Sequence, residues 1–236
     1  MNMKQLDVKT LFISDVHLGS KGSKADELLE LFKSIKFQQL VLVGDFIDGW
    51  ILKRRHWWKQ SHTDVIRKVL KYSKKKRVIY ISGNHDDFLR EIDTGEWGNI
   101  QIKHEWIYNN IFVVHGDLYD GVVKYKWLGK LGSVGYELSI GFDLIMRKFG
   151  IKKSLSTILK TRVKDAIKYL NKFESQLVYQ AKKRGCDTVI CGHIHTPKDT
   201  DYGDIRYMNC GDWMQNSSFI VEHHDGRLEM YEHYER

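Results

Sequence analysis

Five short apolar runs punctuate the chain, at Thr10–Ser14, Leu40–Val43, Val78–Ser82, Ile111–Val114 and Thr188–Cys191. Each is four or five residues long, rich in β-branched side chains and closed by a polar cluster, which predicts buried strands. Between the first and second, Leu28, Leu31, Phe32 and Ile35 recur at helical spacing within Ser23–Phe37, and Val65, Ile66, Val69 and Tyr72 do so before the third. Strands alternating with amphipathic helices predict an α/β fold built in layers.

The alternation stops after Gly121. About sixty residues separate the fourth run from the fifth, too many for an ordinary loop. Within them Leu155, Leu159, Val163, Ile167, Leu170, Phe173 and Leu177 fall every three or four positions up to Gly185, a natural helix stop. We therefore expect a core formed by residues 1–121 and 185–236, with a helical insertion, or cap, at 122–184. The tail adds strands at Ser218–Glu222 and Arg227–Tyr231 around the turn Asp225-Gly226.

Composition sharpens this picture in three places. Only one proline and no Gly/Ser-rich linker interrupt the 236 residues, so a tandem of independent domains is not expected. Three cysteines lack CxxC spacing, which argues against a disulfide framework or a structural zinc site. The first ten residues are polar and meet an apolar stretch too short for a signal peptide, which predicts a cytoplasmic protein. The net charge of +8 is unevenly placed: residues 121–184 carry fifteen Lys/Arg against four acids, leaving the rest net acidic. The basic insertion therefore suggests an anionic partner.

The polar clusters carry the chemistry. They are Asp15-Val16-His17, Gly44-Asp45-Phe46-Ile47-Asp48, Gly83-Asn84-His85-Asp86, His115-Gly116-Asp117 and Gly192-His193-Ile194-His195. All follow strands, and the carboxyl ends of strands in an open α/β sheet share one crevice. Three imidazoles from the later strands, two carboxylates and an amide oxygen offer mixed nitrogen and oxygen coordination suited to Mn²⁺, Fe²⁺ or Zn²⁺. Asp45 can bridge two ions because a carboxylate has two oxygens, and Gly44 allows a sharp turn before it.

The series DxH, GDxxD, GNH[DE], a lone His and GHxH resembles the calcineurin-like metallophosphoesterases, and every element is intact. The resemblance implies a layered β-sandwich flanked by helices and two divalent metal ions, with Mn²⁺ the first candidate. Asp15, His17 and His195 would hold one ion; Asn84, His115 and His193 would hold the other; Asp45 would bridge them. Two adjacent cations neutralise phosphate oxygens and acidify a bridging water, so that hydroxide attacks phosphorus at neutral pH. His85 is then placed to stabilise the transition state or to protonate the leaving oxygen, with Asp86 orienting its ring and Asp48 an outer support for a ligand histidine.

Within that family the chain looks similar to the UDP-2,3-diacylglucosamine diphosphatases of lipid A biosynthesis and their homologues, through FISDVHLG, the insertion after His115-Gly116-Asp117 and the segment Asn209-Cys210-Gly211-Asp212-Trp213. Those enzymes carry GNR where this chain has Gly83-Asn84-His85. Another lipid or nucleotide phosphoester therefore stays open as substrate, as does a non-catalytic scaffold.

A nucleotide-linked or lipid phosphate substrate and peripheral contact with an anionic membrane are the expected partners. The insertion's apolar stripe suits acyl chains, although it equally suits plain helix packing. Lys153, Ser156, Lys160 and Lys164 are its candidate headgroup contacts. Trp50, Lys53, Arg54, Arg55, His56, Trp57 and Trp58 form a candidate rim for a uridine or a membrane interface, or a locally packed loop. Basic residues set among apolar helices, with no nucleic-acid-binding module, give no expectation of nucleic acid. His62, His104, His223, His224 and His233 belong to no motif and are expected at the surface.

Overall fold

A computed structural model describes residues 6–54, 57–91, 95–120 and 155–233, the side chains of 155–168 excepted. The chain divides into two compact units, residues 1–116 with 180–236, and residues 117–179. Much of the insertion expected at 122–184 lies outside the described residues, including Lys153 and the side chains of Ser156, Lys160 and Lys164. So do Arg55 and His56 of the expected rim.

In the first unit, strands β1 (Leu6–Ile13), β2 (Ile35–Val43) and β3 (Arg77–Ile81) lie parallel at the centre of a seven-stranded sheet. Its order is β12-β11-β1-β2-β3-β5-β4, completed by β4 (Glu96–Trp97), β5 (Ile100–Lys103), β11 (Ser218–Glu222) and β12 (Leu228–Glu232). A second sheet, ordered β6-β7-β8-β10-β9, has β7 (Ile111–Val114), β8 (Thr188–Cys191) and β10 (Ile205–Asn209) parallel. Its edges are β6 (Glu105–Tyr108) and β9 (Lys198–Tyr202), each antiparallel to its neighbour.

Side-chain alternation along the strands builds the layers. Leu11, Ile13, Leu40, Leu42, Val78 and Tyr80 pack with Leu28, Leu31 and Phe32 of α1 (Ala25–Ser34) and with Val65 and Val69 of α3 (Gln60–Ser73). Phe12, Val41, Val43, Ile79 and Ile81 point the other way, against Trp106, Ile111, Val113, Ile190 and Met208 of the second sheet. Each such fully buried side chain stabilises the fold by about 1.5–3 kcal/mol. Burial on both faces also explains why these strands read as unbroken apolar runs.

Two readings need correction. The helical segment expected over 23–37 ends at Ser34, and Ile35 and Phe37 open β2, where they still face the α1 layer. Strands β4, β5, β6, β9 and β10 had no counterpart in the expected set. The insertion's long helix, α4, spans Leu155–Lys183, and Gly185 closes it with φ +70° while its N–H reaches the Lys182 carbonyl at 3.1 Å.

Candidate metal centre

The loops that leave the strands are held in an unusual backbone state. Asp15, His17, Asp45, His193 and His195 all have positive φ, between 51° and 71°, a region that residues with a β-carbon rarely enter. Such strain persists only where surroundings over-determine it. Here the β1 and β2 loops are zipped together, with the N–H groups of Asp15, His17 and Leu18 donating to the carbonyls of Gly44, Asp45 and Phe46 at 2.9–3.1 Å.

The glycines of the motifs make room. A β-carbon on Gly83 would collide with the Asp45 carboxylate, one on Gly192 with the Asp15 carboxylate and one on Gly44 with the His115 ring. Gly44 also needs its φ of +83°. Close approach, as much as turning, therefore fixes glycine at these positions.

Three donor groupings result. Asp15, His17 and His195 form one; Asp45, His115 and His193 form another; His17, Asp48 and His85 form a third. In the first, Asp15 Oδ1 lies 3.1 Å from His195 Nε2 and 3.8 Å from His17 Nε2, while Asp15 Oδ2 accepts the His193 N–H at 3.0 Å. Between the first two groupings stands Asp45 Oδ2, 3.2 Å from His115 Nε2 and 4.0 Å from His17 Nε2. Its partner Oδ1 accepts the His85 N–H at 2.7 Å. One oxygen of the Asp45 carboxylate, Oδ2, thus faces both groupings.

Outer partners set the ring tautomers. His115 Nδ1 lies 2.9 Å from the Val43 carbonyl, so Nδ1 carries hydrogen and Nε2 faces Asp45. Asp48 serves two rings at once, Oδ2 to His17 Nδ1 at 3.3 Å and Oδ1 to His85 Nδ1 at 3.1 Å. Asp86, expected to orient His85, does not reach its ring. Its oxygens accept the N–H groups of Gly83 at 2.5 Å and Phe46 at 2.9 Å and the Tyr80 hydroxyl at 2.7 Å. The reason is the turn after β3, which buries Asp86 beneath the loop while His85 stays a quarter exposed, its side chain at 24%.

A divalent ion fits the donors. The amide oxygen of Asn84, a residue only 5% exposed, lacks any hydrogen-bond partner, an arrangement that a cation satisfies. The nitrogen and oxygen donor set suits transition ions.

Residues 8–197 match the family described as calcineurin-like phosphoesterase. The chain belongs to that family. A UDP-2,3-diacylglucosamine hydrolase of Wigglesworthia glossinidia brevipalpis is 23% identical over 90% of each chain. Among solved structures, a phosphoesterase from E. coli is 16% identical over 95% of this chain and 99% of its own, with a TM-score of 0.42. A zinc-complexed Vps29 from Entamoeba histolytica is 14% identical over 94% and 90%, with a TM-score of 0.48.

Around these donors the electrostatics favour charged carboxylates on Asp15 and Asp45. Burial opposes ionisation of Asp45, but the His115 imidazole beside it brings the carboxyl down to about 2. Asp15 is likewise held well below the usual range against its burial, by His115, His17 and His195. Burial also opposes a charged His17, yet the carboxylates of Asp15 and Asp48 hold its imidazolium up to about 10. His17 Nε2 and His195 Nε2 lie 3.2 Å apart, within hydrogen-bonding distance. Asp86 behaves oppositely: burial, then the Asp45 charge, push it up to about 6.

Sequence reasoning missed the residues that clamp these loops. Asn209 donates to the Gly192 carbonyl at 2.8 Å and accepts the Gly211 N–H at 2.9 Å, while the Trp213 N–H reaches the Asp15 carbonyl at 3.0 Å. The buried Asp212 Oδ1 takes the N–H groups of Met214, Gln215 and Asn216, and Asn216 Nδ2 reaches the His195 carbonyl at 2.7 Å. Their only sequence signal was the resemblance of Asn209–Trp213 to a homologous tail. His62, expected at the surface, is fully buried, with Nδ1 accepting the Gly19 N–H at 2.9 Å and Trp57 and Trp58 against its ring.

Proposed function

We propose that the protein hydrolyses the pyrophosphate of UDP-2,3-diacylglucosamine, releasing UMP and the acylated sugar phosphate, lipid X. The observation that carries the reaction class is Asp45 Oδ2 facing two donor groupings beside a solvent-reachable His85. The hydrolase of Wigglesworthia glossinidia brevipalpis supports the substrate.

Asp15, His17 and His195 would hold one divalent ion and Asn84, His115 and His193 a second, with Asp45 between them and Mn²⁺ the first candidate over Fe²⁺ or Zn²⁺. When bound, the ions supply positive charge against phosphoryl oxygens and acidify a water. The residues of the chain do the rest. Asp48 binds the Nδ1 hydrogen of His85, which leaves Nε2 to carry the proton that the departing phosphate oxygen takes up. Asp86 fixes the loop that carries Asn84 and His85 through its three donors. The charge-rich insertion would meet the anionic headgroup at the cytoplasmic membrane surface. Among the described residues no helix is long and apolar enough to cross a membrane.

Manganese-supplemented protein should release UMP from UDP-2,3-diacylglucosamine. Turnover of a simple aryl phosphodiester with none of the lipid nucleotide would sink the substrate while keeping the reaction class. Gly83-Asn84-His85 in place of GNR favours one second reading, a phosphodiesterase acting on another lipid or nucleotide. Comparing those substrate classes at equal metal loading separates the two.

A further inference from the structure

A histidine that hands over a proton must hold its ring in one plane, and among the described residues three groups meet the His85 ring. Asp48 Oδ1 binds Nδ1 at 3.1 Å. His17 meets the ring edge-on, with centroids 4.6 Å apart and planes at 86°. Trp50 lies across its face, with centroids 4.2 Å apart and planes at 31°. Asp48 and His17 already have places in the metal cage and its support. Trp50 has none.

The local backbone brings the indole there. Trp50 is the second residue of α2 (Gly49–Leu52), a single turn capped by Asp48, whose Oδ1 accepts the Ile51 N–H at 2.9 Å. Gly49 donates its own N–H to the His85 carbonyl at 2.9 Å. A β-carbon at Gly49 would stand 2.8 Å from that carbonyl oxygen, so the turn abuts the His85 backbone. Trp50 nevertheless remains 37% exposed, so core packing alone does not account for a large aromatic at this position.

A single hydrogen bond fixes a point and leaves a plane free. Held only through Nδ1, the His85 ring can pivot about its bond to Asp48 and sweep Nε2 away from a leaving oxygen. A displacement of about 1 Å at such a site costs on the order of 100-fold in rate. A flat aromatic surface in contact with the ring removes that pivot.

We propose that Trp50 is a positioning residue for His85, its indole fixing the plane of the imidazole so that Nε2 presents its proton to the leaving oxygen. The proposal rests on the reading of His85 as the acid.

The test compares two substrates in the full-length, metal-supplemented protein. One has an alkyl leaving group that needs a proton; the other is a dinitrophenyl ester whose leaving group departs as a stable anion. Trp50→Ala should lower kcat on the first by ~10-fold or more, with little change in KM, and the deficit should shrink by ~10-fold on the second. His85→Ala should show the same leaving-group dependence, and the double variant should be no slower than His85→Ala alone. Trp50→Phe should recover most of the rate. Metal content and Tm should match the parent in both Trp50 variants.

A readout independent of turnover comes from proton NMR of metal-free protein. There, the His85 ring resonances, assigned by their loss in His85→Ala, should lose their indole-induced upfield shift in Trp50→Leu and keep most of it in Trp50→Phe. Equal slowing on both substrates, an effect on KM alone, or no effect in Trp50→Ala while His85→Ala keeps its dependence overturns the positioning role only. Loss of leaving-group dependence in His85→Ala itself overturns both readings.

Discussion

The glycine ahead of Asn84 has no room for a methyl group, because the Asp45 carboxylate occupies that space. Gly83→Ala should therefore push Asp45 off its two-sided position, costing about 1–3 kcal/mol of stability and lowering metal occupancy, both measurable by thermal melting and metal analysis. A second residue-level consequence concerns protons. With His17 held up to about 10, its imidazolium contributes stability fully present below the unfolded value near 6.5 and lost as pH rises through about 10. An ion bound there at pH 7 has to displace that proton, so metal uptake should release about one proton per chain. Calorimetry in buffers of different ionisation enthalpy reads this directly, and a buffer-independent heat would refute it. The motifs themselves were legible, since a strand end followed by metal-capable side chains recurs five times, four of them with a glycine. The division of labour between Asp48 and Asp86 was not. Asp86 adjoins His85 in the chain whereas Asp48 belongs to another motif, and only the turn after β3 decides that the distant carboxylate meets the ring while the neighbouring one is buried against Phe46 and Tyr80.

Strand ends, rather than isolated side chains, aim the donors, and the segment from Asn209 to Asn216 keeps those ends in place. Asp212 gathers three backbone N–H groups and, through Asn216, reaches the carbonyl of His195. Asp212→Ala should destabilise metal-free protein by about 2–3 kcal/mol in denaturant titrations, with Asp212→Asn milder because it retains an acceptor oxygen. Occupancy of the Asp15, His17 and His195 grouping should fall before that of the other. Equal loss at both groupings would show that the clamp acts on the whole fold. The central strands were readable from sequence because both of their faces are buried, but the same property hides which sheet each joins. Edge elements were harder: β9, Lys-Asp-Thr-Asp-Tyr, carries no apolar alternation, and β4 has only two residues. Ile35 and Phe37 kept helical spacing by accident of the short passage from α1 into β2, where they face the same layer.

At the scale of the first unit, each of the two main donor groupings draws on both sheets. Asp15, His17, Asp45 and Asn84 follow strands of the seven-stranded sheet, whereas His115, His193 and His195 follow β7 and β8 of the other. Chelation should therefore lower Tm, each site adding about 2.7 kcal/mol when free metal is a hundred times its Kd. Hydrogen exchange should quicken together at the carboxyl ends of β1, β2, β7 and β8, and quickening confined to one sheet would contradict the arrangement. The layered α/β architecture was accessible from strand and helix alternation, but the pairing of sheets depended on Phe12, Val41 and Ile79 turning inward against Ile190 and Met208. Ions gripped from both sides would act as rivets through the sandwich. A substitution that loosens a ligand then weakens the joint between the layers as well as the chemistry, so at these positions catalytic repair and mechanical repair are the same change.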